Sequence, residues 1–210
     1  MKTFFLKLKH WQLFMIIYGV PFIFQLIFAG FIIILAVNDV EPDFQNLFLW
    51  FVLLPIFSLI PLLGSLGWYW SVGTGLQDKI PEKEQMNTGF FKVSVIFPLI
   101  YFTIVLIGIS VLASLNFLSG MEPGPEILFF IIPIHLFMAF CLFYNIYFVA
   151  KTYKSIELQR RATASEYLGE FFLIWFFFLG VWFIQPKIND LEKGENPFMP
   201  LARIYRDYSQ

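Results

Sequence analysis

The sequence predicts an all-α fold: a polytopic helical membrane bundle with five transmembrane helices. Four spans plus one non-crossing helix is the alternative. Three observations predict this class. Long apolar stretches, separated by short polar segments, fill most of the 210 residues. Hydrophobic residues make up 59% of the chain and charged ones only 14%, whereas soluble domains run at roughly 45–50% and about 25%. Among the connections between segments, Lys and Arg occur only in alternate ones, the asymmetry that orients membrane helices.

A hydrocarbon core about 30 Å thick needs roughly 20 apolar helical residues. Segment one, residues 11–37, exceeds that, with Gln12 and Gln25 as polar interruptions and Pro21 as an expected kink. Its leader, with Lys2, Lys7 and Lys9, resembles the start of a signal peptide. The apolar run is far longer than the roughly 7–15 residues of a signal h-region, so it is read as an uncleaved first span. Segment two covers residues 47–72 and includes Pro55 and Pro61. Segment three covers 93–117, and segment four, 127–150, carries His135 and Asn145.

Segment five, residues 167–185, is the weakest. Its uninterrupted apolar run from Phe171 to Ile184 is short for a span and also suits a re-entrant or interfacial piece. Thr163 and Glu166 have the spacing of a capping box. A helix from there to Gln185 would be about 33 Å long at 1.5 Å per residue, enough to cross before Pro186 stops it. Five spans are therefore expected, in one membrane domain over residues 1–190, with a polar tail over 191–210.

Orientation follows from Lys and Arg near the helix ends. Lys2, Lys7 and Lys9 precede segment one; Lys79, Lys83 and Lys92 lie between segments two and three. Lys151, Lys154, Arg160 and Arg161 lie between segments four and five. The other two connections have no basic residue and hold Asp39, Glu41, Asp43, Glu122 and Glu126. The N-terminus is expected in the cytoplasm of a bacterium, the bundle in its inner membrane, and the C-terminus outside. The tail's Lys187, Lys193, Arg203 and Arg206, offset by Asp190, Glu192, Glu195 and Asp207, weigh slightly against export.

Several function classes have little support. A net charge of −1 argues against nucleic acid, which needs a clustered basic surface. The single cysteine, Cys141, excludes an intramolecular disulfide. No metal, cofactor or nucleotide motif appears. An enzyme acting in the bilayer would show a nucleophile–base pair or a carboxylate cluster with His; a lone His135 and separated acids do not supply one. No enzymatic activity and no cofactor are expected.

The polar residues inside the apolar stretches are the candidates for function. Glu170 lies just inside segment five, where a carboxylate is costly and can mark an ion pathway. Its plainer reading is an interfacial group paired with Lys151, Lys154 or Arg160. His135 could carry protons, but is more simply a packing histidine with a satisfied hydrogen bond. Gln25 and Asn145 are mid-membrane amides of the kind that join helices by hydrogen bonds. Gly67, Ser71 and Gly75, and then Ser110 and Ser114, recur at four-residue spacing and suit close helix packing, within the chain or between subunits. Trp11, Trp68, Tyr69 and Trp70 match an interfacial aromatic belt. Lys151, Lys154, Arg160 and Arg161 could meet anionic lipid head groups or a partner.

These residues favour a non-enzymatic membrane component that assembles with itself or a membrane partner, as a scaffold, assembly factor or membrane-acting effector. An ion channel or small-solute transporter using Glu170, His135, Gln25 and Asn145 is the alternative.

Overall fold

The computed structural model describes residues 4–39, 44–119, 124 and 127–195. Among the described residues it is helical throughout, joined by turns. Helix α1 (Phe4–Lys7) and α2 (His10–Phe14) precede a π-helical turn, Met15–Gly19, that leads into α3 (Val20–Val37). Then follow α4 (Phe44–Gly75), α5 (Gly89–Ser119), α6 (Ile127–Leu158), α7 (Ala164–Trp175) and α8 (Phe177–Glu192). Two short 3-10 turns, Gln77–Lys79 and Glu82–Glu84, link α4 to α5.

Four helical runs are long and apolar enough to cross a membrane: His10–Val37, Ile56–Lys79, Gly89–Leu112 and Ile131–Leu158. The α7–α8 pair makes a fifth if a bent pair counts as one span. The exposed side chains identify the solvent. Ile96, Ile100, Ile104, Ile107 and Val111 form an outward stripe on α5, each 45–63% exposed. Outward positions of α6 include Phe129, Ile132, Leu136 and Phe140. Such apolar surface is far larger than a soluble monomer tolerates and is what lipid requires. The chain is a helical membrane bundle.

Pro21 lacks the N–H that would bond the Ile17 carbonyl, and the turn before it widens to π geometry. The kink expected there takes this form. Pro98 and Pro133 sit within α5 and α6, and Pro55 and Pro61 within α4.

The fifth segment departs from expectation. One continuous helix to Gln185 is replaced by α7 and α8, which meet at Phe176 with a bend of 117°. Pro186 does not end the helix; α8 continues through it to Glu192. Two features account for the bend. Gly180 lies so close to the Leu173 carbonyl that a Cβ would overlap it. Three backbone bonds also hold the bend: Phe176 N–H donates to the Phe172 carbonyl at 2.8 Å, while Leu179 and Gly180 donate to the Phe176 carbonyl at 2.9 and 3.0 Å.

By its internal contacts the chain divides into two compact units. The first comprises residues 1–14, 67–91 and 145–210, the second 15–66 and 92–144. In the second unit, Phe24 stacks on Phe57 at 3.9 Å, and Trp50 lies 5.0–5.6 Å from Phe24, Phe28 and Phe31. Aromatic packing thus joins α3 to α4. Gly64 admits Ile17: a Cβ there would lie 2.8 Å from Ile17 Cγ1. On α5 and α6, Phe97 meets Phe137 edge-on at 4.8 Å.

The first unit has its own core. α8 presents one stripe inward, with Phe177, Gly180, Val181, Ile184, Gln185, Ile188 and Leu191 all buried. This stripe has the 3.6-residue period of an amphipathic helix. Trp68 is fully buried beside Phe177, at 4.7 Å between rings. Phe91 stacks on Phe148 at 4.2 Å in space left by Gly73.

Glu41, Asp43, Glu122 and Glu126 of the acidic connections, Lys2, and the tail from residue 196, including Arg203, Arg206 and Asp207, lie outside the described residues. Ser114 is described only as part of the α5 backbone.

Candidate functional site

The densest polar constellation lies in the first unit and centres on α8. Helix α1 ends at Lys7, and Leu8 and Lys9 are not helical. A broken helix leaves backbone carbonyls without intrahelical partners. Gln185 Nε2 donates to the carbonyls of Phe5 and Leu8 at 3.0 and 2.7 Å. One turn on, Asn189 Nδ2 donates to those of Leu6 and Leu8 at 2.6 and 3.0 Å. Gln185 Oε1 in turn accepts the Trp68 indole N–H at 2.7 Å. Lys7 pairs with Glu192 at 3.4 Å, and His10 packs on Trp182 at 4.7 Å. Two amides spaced i,i+4 therefore hold the N-terminal segment on α8 and tie both to α4.

A second cluster surrounds Glu170. Lys154 Nζ lies 3.3 Å from Glu170 and 2.9 Å from Glu157, with all three side chains at most 31% exposed. One ammonium thus serves two carboxylates. Glu170 pairs with Lys154 of α6, one of the partners named in its plainer reading.

The α6–α7 connection is held just as specifically. Glu166 accepts the Thr163 N–H at 2.8 Å in the expected capping box, and Arg160 forks onto its two oxygens at 2.5 and 3.1 Å. Arg160 beside it and the Thr163 bonds hold its carboxyl well below the usual range, at about 2. Arg161 donates to the Glu84 and Gln85 carbonyls at 3.1 and 2.9 Å. Ser155 Oγ accepts the Ala162 N–H at 3.0 Å. Gln77 joins α4 to α6, donating to Thr152 Oγ1 at 3.2 Å, and accepts the Met86 N–H at 3.1 Å. Lys151 contacts the Tyr147 hydroxyl at 3.1 Å.

The remaining candidates are dispersed. Asn145 is fully buried in α6, in the first unit. His135 is exposed in α6, and its Nδ1 lies 2.9 Å from the Tyr101 hydroxyl. Gln25 is exposed near the middle of the first span. No hydrogen bond joins it to any described residue. Gly67 faces the Phe5 ring, which occupies the space of its missing Cβ; Ser71 is buried and donates to the Gly67 carbonyl at 2.8 Å. The Gly67–Ser71 spacing thus serves packing within the chain. Gly75 ends α4, and Ser110 donates to the Leu106 carbonyl at 2.9 Å. Trp11 is 49% exposed, as a belt residue would be, whereas Trp68 and Tyr69 face the interior.

Sequence reasoning missed Gln185, Asn189, Gln77 and Gly180. The i,i+4 amides were visible as a pair, but their acceptors are backbone carbonyls about 180 residues away, which no side-chain motif announces. Among the described residues no group of His, Cys, Asp and Glu is arranged to hold a metal ion. No family model matches the chain, and comparisons with curated proteins and with solved structures give no match.

Proposed function

We propose that the protein is a non-enzymatic component of a bacterial inner membrane, N-terminus in the cytoplasm, that works by assembling in the bilayer with itself or a membrane partner. One observation carries this reading: the contrast between two glutamines. Gln185 is buried, and both ends of its amide are bonded. Gln25 is exposed at mid-span with no bonded partner among the described residues. An amide left in hydrocarbon without a partner costs at least about 2 kcal/mol, and hydrogen bonds between membrane helices return about 0.6–2 kcal/mol. Gln25 therefore favours a second helix against α3, and Ala29 one turn away leaves room for it. Because an amide both donates and accepts, Gln25 of a second copy is a suitable partner. Scaffold, assembly factor and membrane-acting effector all fit this reading. Lys151 and the half-exposed Arg160 and Arg161 would supply cations for anionic head groups at the same membrane.

The test is association in lipid. Gln25→Leu should lower the oligomeric fraction in nanodiscs or by photobleaching steps, while Gln25→Asn retains part of it. Wild-type protein that is monomeric and captures no membrane partner would overturn the reading.

A channel or small-solute transporter is the second reading. It is favoured by His135, a titratable side chain exposed inside a span. Liposome ion flux distinguishes the two. Under the assembly reading, wild type, Glu170→Gln and His135→Ala give the same background; flux that these substitutions reduce would establish the transport reading.

A further inference from the structure

The N-terminal segment and the connection between α4 and α5 are separated by two spans. The connection between α6 and α7 follows two more. An even number of crossings puts all three on one membrane face, whichever face is cytoplasmic. α7 starts there: Arg161, just before it, is bonded to the carbonyls of Glu84 and Gln85 in the α4–α5 connection. α8 also ends there. Gln185 and Asn189 grip the carbonyls of Phe5, Leu6 and Leu8, and Glu192 pairs with Lys7. A chain that crossed between Glu166 and Gln185 would carry Gln185 about 30 Å from those carbonyls, the thickness of the hydrocarbon core. We infer that α7 and α8 form a re-entrant hairpin that enters one leaflet, turns at Phe176 and returns, leaving the C-terminal end on the same face as the N-terminus. This reverses the external C-terminus that hydrophobicity and length predict.

The hairpin has the form its surroundings require. α7 has 12 residues, about 18 Å at 1.5 Å per residue, which reaches into a bilayer without spanning it. Lipid tolerates no unbonded backbone at that depth. At the turn the N–H groups of Phe176, Leu179 and Gly180 and the Phe176 carbonyl are bonded, which reduces the backbone left for lipid to meet. Its tip is aromatic and apolar: Trp175, Phe176, Phe178 and Leu179 are each 46–54% exposed. Glu166 and Glu170, with their cationic partners, lie at the entrance and are absent from the tip. The surface contacting the tip is the acyl-chain region of the leaflet on the N-terminal side.

Cysteine accessibility in the full-length protein tests this. Single cysteines are placed in a Cys141→Ala background and exposed to a membrane-impermeant maleimide in right-side-out vesicles, before and after permeabilisation. Lys83→Cys marks one face and Asn38→Cys the other. Lys193→Cys should follow Lys83→Cys, and Phe178→Cys, at the tip, should resist the reagent from either side. Labelling of Lys193→Cys together with Asn38→Cys would overturn the inference, as would labelling of Phe178→Cys from either side. A short bismaleimide joining Lys7→Cys to Glu192→Cys gives a second readout, since the bridge cannot form across a bilayer. None of these outcomes depends on whether the protein self-assembles, so failure of the assembly reading would be seen separately.

Discussion

Among the described residues, Glu166 is a carboxylate whose displaced pKa predicts a pH-dependent stability. Its folded pKa is lowered to about 2 from 4.5 by Arg160 and by Thr163. A depressed carboxyl contributes stability that is complete above the unfolded pKa and is lost as pH falls through the folded one. The stability gap between wild type and Glu166→Gln should therefore shrink as pH falls from about 4.5 toward about 2. Thermal unfolding in detergent across that range measures it, and a constant gap would show that the Arg160 fork contributes nothing. Gln185 predicts a larger effect that does not depend on pH. Gln185→Leu strands the Trp68 indole and the Phe5 carbonyl, while the Leu8 carbonyl keeps its bond from Asn189, and each buried unpaired group costs about 1–3 kcal/mol. A loss of about 2 kcal/mol or more is expected. Trp68→Phe combined with Gln185→Leu should cost less than the sum of the two, because the first removes a donor that the second would orphan. Additive losses would mean that the 2.7 Å bond does not couple them. The capping box was legible at this scale because both partners lie within one turn. The Gln185 contacts were not, because acceptors on a broken backbone leave no trace in residue identity.

At the scale of elements, the α7–α8 bend depends on Gly180. Any side chain there must displace the Leu173 carbonyl, which belongs to rigid helix backbone. Gly180→Ala should cost about 1–3 kcal/mol, the usual range for overpacking. Gly169→Ala is the control: open space surrounds that position, so the change should be neutral or stabilise by up to about 1 kcal/mol through helix propensity. Unfolding midpoints of the two variants compare them directly, and equal effects would remove Gly180 from the account. Four of the five apolar segments were legible as spans from length alone. The fifth was not, because about twenty residues of one composition serve equally for a crossing helix or a folded-back pair. The approach of Gly180 to the Leu173 carbonyl marks the bent pair. The aromatic cluster of α4 shows a related limit: Trp68 resembles a belt residue in sequence, yet it is buried by α8.

For the molecule as a whole, two glutamines in apolar helices predict opposite phenotypes. Gln185→Leu should lower the stability of an isolated monomer. Gln25→Leu should leave the monomer's unfolding midpoint in mild detergent unchanged or raised, since it removes an amide bonded to no described residue, and should reduce association in lipid. A fall in monomer stability equal to that of Gln185→Leu would mean that Gln25 serves the fold and not assembly. The small-residue spacing could not be divided between packing and assembly from sequence. At Gly67 the Phe5 ring occupies the space, which leaves the amide on α3 as the stronger indicator of a second chain.

Residue composition alone establishes the helical membrane bundle and four runs long enough to cross, because these depend on summed hydrophobicity, which needs no partner. The course of the last thirty described residues emerges only when the helices pack. There α7 and α8 meet at a bend, and hydrogen bonds from Gln185 and Asn189 hold α8 to carbonyls at the other end of the chain. Bonds between groups so far apart in sequence exist only once the helices have packed.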